Sequence, residues 1–396
     1  MADTILVLNA GSSSIKFQLF AIEPHDCLSR RMRGQIEGIG TRPRLKAADA
    51  GGKPLVDKIY ADGDAPDGVG ALDHVIAFLR EYIGGRLPIA IGHRVVHGGP
   101  EYSKPTPISA AVLQGLDRLI PLAPLHQPNN LAPIRAILAK HPRLMQVACF
   151  DTAFHRAHPE VADRFAISEQ LYNEGVRRYG FHGLSYEHIS QRLAEIAPQI
   201  AAGRVVVAHL GSGASMCAIA AGKSVESTMG FTALDGLPMG TRPGQLDAGV
   251  VLYLMMRKRM SADDIQQLLY GECGLKALSG LSNDVRVLLA SADRRAKLAL
   301  DCFIHRVVLF AGMLAAAMGG IDGFVFTAGI GENAAQIRKG ILDRLGWLGL
   351  AVDEAANSNS EVLISPSHSR VPCYVIATDE ELMIAKHTLR VLREKT

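Results

Sequence analysis

Apolar residues in this chain come in short blocks that stop at small or polar ones. Residues 5–8 (ILVL) run into Asn9, Ala10, Gly11 and three serines, after which residues 15–20 (IKFQLF) alternate with period two. The pair predicts a hairpin with Lys16 projecting from its second strand. Leu72, Val75, Ile76, Leu79 and Ile83 repeat at helical spacing, and residues 89–91 read as a short buried strand ending at Gly92, His93 and Arg94. Helix then alternates with strand. Strands are predicted at 147–150, ending at Asp151, at 205–208, ending at His209, at 324–327, ending near Gly329, and at 374–377. Helices are predicted over 334–345 and 382–392. Residues 40–70, rich in Gly, Pro, Asp and Lys, predict a surface excursion with little core. The most apolar window, 307–318, is too short to span a bilayer and predicts a buried helix.

In open α/β sheets ligands sit beyond the carboxyl ends of strands, where most candidate polar residues of this chain fall. Two of those ends match. LNAGSSS and, two hundred residues later, HLGSGAS both follow apolar strands. Glycine and small hydroxyl residues leave backbone N–H groups uncovered, which suits a polyphosphate as well as an ordinary turn. The offset repeat suggests a duplicated fold whose halves face one another across a cleft, with a boundary near residue 150.

Composition narrows the partner. With 396 residues, 48% of them hydrophobic, the chain suffices for a large core and two domains. Basic and acidic residues nearly cancel, 42 against 39, so no charge footprint favours nucleic acid or an acidic membrane and a small molecule is expected. Six cysteines stand at 27, 149, 217, 273, 302 and 373 with no C-x-x-C pair, which reads as reduced core thiols of the cytoplasm. The first residues lack the basic and apolar regions of a signal peptide, so export is not expected.

Several constellations carry chemistry. GHRVVHGG places Arg94, and MGTRPG places Arg242, among glycines where a guanidinium clamps a carboxylate or phosphate bidentately. Two fixed arginines suit phosphoryl transfer, whose transition state spreads negative charge over equatorial oxygens. RRYGFHG brings His182 into a Gly-flanked loop, a position from which imidazole donates to an oxyanion. His155 and His158 form an HxxH pair without a third ligand nearby, which reads as loop chemistry. Asp151 at its strand end suits a water-mediated Mg²⁺ contact or a helix cap, and Thr378, Asp379, Glu380 and Glu381 repeat that choice. GIGEN (Gly329, Ile330, Gly331, Glu332, Asn333) precedes a helix and offers a nucleotide site at its positive end. Walker A, H-R-D and G-x-G-x-x-G sequences do not occur, which argues against P-loop, protein-kinase and Rossmann readings.

Taken in order, LVLNAGSSSIKF, GHRVVHGG, PLAPLHQPNN, CFDTAFH, RRYGFHG, VVVAHLGSGAS, MGTRPG, GLSNDVR, FTAGIGEN and ATDEEL resemble the acetokinase family nearly end to end. The resemblance implies an α/β fold of two duplicated actin-like, ribonuclease H-like domains flanking a nucleotide cleft. Residues 1–150 plus 380–396 would form an acid and phosphate domain, and 151–379 a nucleotide-binding and dimerisation domain of a homodimer. It implies Mg²⁺-dependent, reversible in-line transfer of the γ-phosphoryl group of ATP to acetate, giving acetyl phosphate and ADP, with Mn²⁺ an alternative metal.

Carried over by motif, Asn9 and Glu380 are the expected metal ligands, and Ser12, Ser14 and Lys16 lie near the phosphates. Arg94 is the acid clamp, Asp151 the catalytic aspartate, and His182 and Arg242 stabilise the transition state. His209, Leu210, Gly211, Ser212 and Gly213, then Asp284, Val285 and Arg286, then Gly329 to Asn333 resemble nucleotide-binding segments. Val96, Leu125, Phe181 and Ala233 correspond to the pocket for the acid's methyl group. Ser212, Ala233, Gln245 and Asp379 depart from the family's usual Asn, Pro, Asp and Asn. Loss of the proline ring at Ala233 predicts acetate preference with some use of propionate. The rival readings are a propionate or butyrate kinase on this scaffold and a non-catalytic ATP switch. A carboxylate acceptor needs no base to deprotonate it near neutral pH, so Asp151 is expected to organise magnesium and geometry.

Overall fold

The computed structural model describes residues 2–395. It divides into two compact units, one formed by the chain up to Ala153 together with Asp379 onward, the other by Phe154–Thr378.

The first unit is built on β1 (Thr4–Ala10), β2 (Ser14–Ile22), β3 (Leu28–Glu37), β4 (Arg44–Asp49), β5 (Pro54–Ile59), β6 (Ala90–Val95), β7 (Thr106–Pro107) and β8 (Met145–Phe150), in the sheet order β5-β4-β3-β2-β1-β6-β8-β7. The β1–β2 hairpin pairs Asn9 with Lys16, and β6 and β8 run parallel to β1. Alternate side chains of β1 serve two layers. Leu6 and Leu8 join Phe17, Ile36, Leu72 and Val75 in a core under the helix Gly68–Tyr82, whose first turn Asp67 caps by accepting from Val69 and Gly70 N–H. On the other face, Val7 is paired with Gly92, where a Cβ would drive into Ile384 and Thr388. Glycine there lets the C-terminal helix Glu380–Lys395 lie directly on the sheet.

The second unit carries β9 (Arg204–Leu210), β10 (Ala214–Ala220), β11 (Lys223–Ser227), β12 (Gly323–Thr327) and β13 (Cys373–Val375), in the order β11-β10-β9-β12-β13. In each sheet five neighbouring strands (β3-β2-β1-β6-β8 and β11-β10-β9-β12-β13), numbered among themselves in chain order, run third, second, first, fourth, fifth. The first three are antiparallel and the last two parallel to the first. This is one topology written twice, the duplicated actin-like arrangement.

Four expectations need correction. Residues 40–70 contain β4 and β5, because Leu45 and Ala47 alternate with Arg44 and Lys46 and enter the first unit's core. The apolar window at 307–318 belongs to the longer helix Arg294–Ala317, buried along Phe303, Val307, Ala311 and Leu314 but exposed at Leu309 and Met313. It is amphipathic, not buried all round. The GIGEN segment is itself helical (Ala328–Asn333), and a second short helix, Ala335–Leu342, follows. Finally, β13 stops at Val375, and the last helix begins at Glu380, where the Asp379 carboxylate accepts from Leu382 N–H at 3.0 Å.

Candidate active site

In the first unit, strand ends gather Asn9, Arg94 and Asp151, and the start of the C-terminal helix adds Glu380. Arg94 Nε donates to Asp151 Oδ1 at 3.0 Å, Nη2 binds the other carboxylate oxygen, and Nη1 reaches Asn9 Oδ1 at 3.4 Å. Glu380 lies 3.6 Å from Arg94 Nε. Burial pushes the Asp151 carboxyl up to about 7 against the pull of Arg94, with Glu380 adding to the rise. Burial also raises Glu381, again reinforced by Glu380. Arg94, though burial opposes its charge, is held above its ordinary value by Asp151 and then Glu380. Three carboxyl groups therefore crowd one guanidinium. A hard divalent cation would relieve that surplus, and Asn9 with these carboxylates offers the kind of oxygen donors it takes. Among the described residues no group of three or more His, Cys, Asp or Glu makes a complete metal cage; a site of one or two carboxylates leaves room for the waters Mg²⁺ keeps.

Asn130 braces this corner, accepting from Val96 N–H at 2.9 Å and donating to Ala10 O at 2.6 Å. Ser12 and Ser14 lie at the hairpin turn, closed by Gly11 N–H donating to Ser14 O at 2.8 Å. Lys16 sits opposite Asn9 and lines a cavity of about 420 Å³ with Arg33, Gln35 and Lys46. Val96 is buried, whereas Leu125 is 39% exposed just before the helix Gln127–Lys140.

In the second unit the site is centred on Gly213. A Cβ at Gly213 would stand 2.9 Å from Arg242 Nη2 and 3.5 Å from His182 Nε2, so both groups converge on the space that the glycine leaves open, and a side chain there would push the guanidinium aside. Arg242 Nη1 donates to Ala233 O at 2.7 Å, and Gly240 N–H donates to Ser212 O at 3.1 Å, which ties the arginine loop to the glycine turn. His182 adopts a left-handed backbone (φ +58°) at the start of the helix Gly183–Ile196. Its ring stacks on His209, centroids 4.2 Å apart and 13° from parallel. His182 Nδ1 bonds Ser215 Oγ at 2.8 Å, and Tyr186 OH meets the same hydroxyl at 2.5 Å.

Phe181 is buried, and its carbonyl accepts from His155 Nε2 at 2.9 Å. His155 and His158 both bond Ser224 Oγ, at 2.8 and 2.6 Å. Burial holds both well below the ordinary histidine range, His158 at about 3 with help from Arg156. The HxxH pair is thus a neutral brace under the His182 loop.

Gly211, Ser212, Asp284, Val285, Arg286, Gly329, Ile330 and Asn333 line one cavity of about 720 Å³, within the range of small-molecule sites. Asp284 caps its helix by accepting from Arg286 N–H, and the two side chains pair at 2.6 Å. Leu210 is wholly buried in the core, and Gly331 is buried as well. The Glu332 carboxylate turns to backbone, accepting from Ala328 and Thr378 N–H. Sequence reasoning did not pick out Ser185, Tyr186 or Ser215. The available signal was hydroxyl residues three and four positions after His182, one helical turn on.

The model of the acetokinase family matches residues 4–386. An acetate kinase of Nitrobacter hamburgensis is 60% identical over 395 residues, covering 100% of this chain and 97% of that one. An acetate kinase of Rhizobium meliloti is 55% identical over 390 residues, with 98% of each chain covered. Among solved structures, a propionate kinase from Francisella tularensis superposes with TM-score 0.91 at 40% identity, over 98% of this chain and 99% of that one. The Porphyromonas gingivalis acetate kinase superposes with TM-score 0.88 at 36% identity, over 99% and 100%.

Proposed function

Because the chain belongs to the acetokinase family, we propose that it transfers the γ-phosphoryl group of ATP to acetate, giving acetyl phosphate and ADP, and runs the reverse reaction. The observation that carries this reading is the convergence of Arg242 Nη2 and His182 Nε2 at Gly213, at the mouth of a glycine turn. A guanidinium and an imidazole meeting beside a glycine turn suit equatorial phosphoryl oxygens.

The acceptor is already a carboxylate near neutral pH, so the chain has only to bind, orient and neutralise. In this reading the first unit handles acid and metal: Arg94 orients the carboxylate, Val96 and Leu125 supply apolar contact, and Ser12, Ser14 and Lys16 meet phosphate oxygens. Asn9, Glu380 and, through water, Asp151 would hold Mg²⁺, which when bound neutralises phosphate charge. The second unit handles nucleotide along Gly211 to Gly213, Asp284 to Arg286, and Gly329, Ile330 and Asn333.

A homodimer is part of the reading. The helix Ala248–Met256 (AGVVLYLMM) carries no charge yet leaves Leu252, Tyr253 and Met256 more than half exposed, an apolar surface that a second copy would cover. Free cysteines throughout the described residues fit a reducing cytoplasm.

Propionate is the second acid to consider, because Ala233 lacks a proline ring and a propionate kinase is among the similar structures. One methylene in such a pocket is worth about 1–3 kcal/mol. Acyl phosphate trapped as hydroxamate, from acetate, propionate and butyrate with Mg-ATP, tests both. Acetate should give the highest kcat/KM with measurable propionate turnover; a higher value for propionate or butyrate overturns the acetate assignment.

A further inference from the structure

Glu332 stands in a segment that resembles a nucleotide-binding run, yet its carboxylate faces the protein's own backbone. Oε1 accepts from Ala328 N–H at 2.8 Å and from Thr378 N–H at 3.1 Å. Ala328 holds a left-handed backbone, φ +65°, which a non-glycine residue keeps only where neighbours enforce it. Thr378, the last residue of the second unit, continues the connection: its hydroxyl donates to Ser185 Oγ at 2.8 Å, and Ser185 Oγ meets His209 Nδ1 at 2.8 Å.

The direction of these bonds has a consequence at the imidazole. With Ser185 accepting from Thr378, its own proton is available to His209 Nδ1, and the arrangement in which Nδ1 accepts keeps the ring proton on Nε2. A Cβ on Gly211 would lie 3.9 Å from that Nε2, which places this edge of the ring beside the glycine turn. The His209 ring in turn forms one wall of the stack that holds His182. We propose that Glu332 is a positioning residue, acting through Thr378 and Ser185 to set the tautomer and angle of His209, and is not itself a nucleotide contact. The kinetic arm of its test rests on the phosphotransfer reading; the spectroscopic arm does not.

The full chain is compared with Glu332→Ala, Glu332→Gln and Thr378→Val by Mg-ATP titration calorimetry, by kcat at saturating acetate and Mg-ATP, and by ¹⁵N NMR of the His209 ring. Glu332→Ala and Thr378→Val should each lower kcat about 10- to 100-fold, the range for misplaced catalytic groups, with the Mg-ATP Kd changed less than about threefold. Their combination should be little worse than either alone. Glu332→Gln, which keeps an Oε1 acceptor, should recover most of the activity, and Thr378→Val should mix the two His209 tautomers. Thr378→Val keeps the backbone N–H that Glu332 binds, so it decides the matter even where Glu332→Ala fails to fold. A tenfold weaker Mg-ATP Kd in Glu332→Ala with kcat intact, or a Thr378→Val variant with wild-type kcat and an unaltered His209 spectrum, overturns the proposal. A wild-type chain with no acetate-dependent transfer would refute the phosphotransfer reading instead, and the His209 spectra would still decide the tautomer.

Discussion

Arg94 and Asp151 are joined edge to edge: Nε donates to Oδ1 at 3.0 Å and Nη2 binds the second oxygen, leaving Nη1 as the guanidinium edge turned toward Asn9. The pairing holds the arginine at one angle, which a freely rotating ammonium would not maintain. Removing it strands Asp151 and Glu380 without their cation. Arg94→Ala should therefore cut acetate kcat/KM at least about a hundredfold and lower unfolding free energy by about 3 kcal/mol, the cost of breaking a buried pair. Arg94→Lys should regain part of the stability and little of the turnover. Urea melts and initial rates on the same preparations check both.

Gly213 supplies the corresponding space in the second unit. Arg242→Ala removes one of the two converging donors and should lower kcat about 10²- to 10³-fold with Mg-ATP affinity changed only a few-fold. Gly213→Ala should reproduce much of that loss with both donors still present, because its methyl group would stand 2.9 Å from Arg242 Nη2. A Gly213→Ala enzyme with wild-type kcat would show that the convergence is idle.

His93 gives a pH signature in stability. It is buried, its Nε2 bonds Gln146 Oε1 at 2.8 Å, and burial lowers its pKa from 6.5 to about 4 despite that bond. A depressed value means the unfolded chain takes up the proton first. The stability is whole above about pH 6.5 and is lost as pH falls toward 4, some 3 kcal/mol in all. Urea unfolding of wild type and His93→Met at pH 7 and pH 4 should show wild type losing about that much more than the variant. Equal losses would refute the assignment.

The exposed helix Ala248–Met256 predicts how the chain associates. Leu252→Glu combined with Met256→Glu should convert a dimer to a monomer in size-exclusion chromatography with light scattering, while circular dichroism stays unchanged. Wild-type chain that runs as a monomer at micromolar concentration would remove the dimer from the account.

Local pattern carried the sequence reading furthest where one strand and its turn suffice. The β1–β2 hairpin, the strand ends at Arg94 and Asp151, and the glycine turn after His209 were all legible, because period-two alternation and small residues are written within a few positions. β4 and β5 were hidden by the glycines and prolines around them, since Leu45 and Ala47 declare a core face only once β3 lies beside them. The orientation of Glu332 was not readable at all. Its carboxylate is directed by the N–H of Thr378, forty-six positions away, and neither residue marks the other in sequence. The left-handed backbone of His182 and the hydroxyls that pin its ring are of the same kind, fixed by tertiary contacts.

In the proposed reaction these side chains hold and neutralise one direct displacement at phosphorus, without forming a bond to it. Transfer of a γ-phosphoryl group made chiral with oxygen isotopes to acetate tests this in a single measurement. Inversion of configuration at phosphorus is the result expected; retention would require a phosphorylated residue between donor and acceptor and would contradict the account.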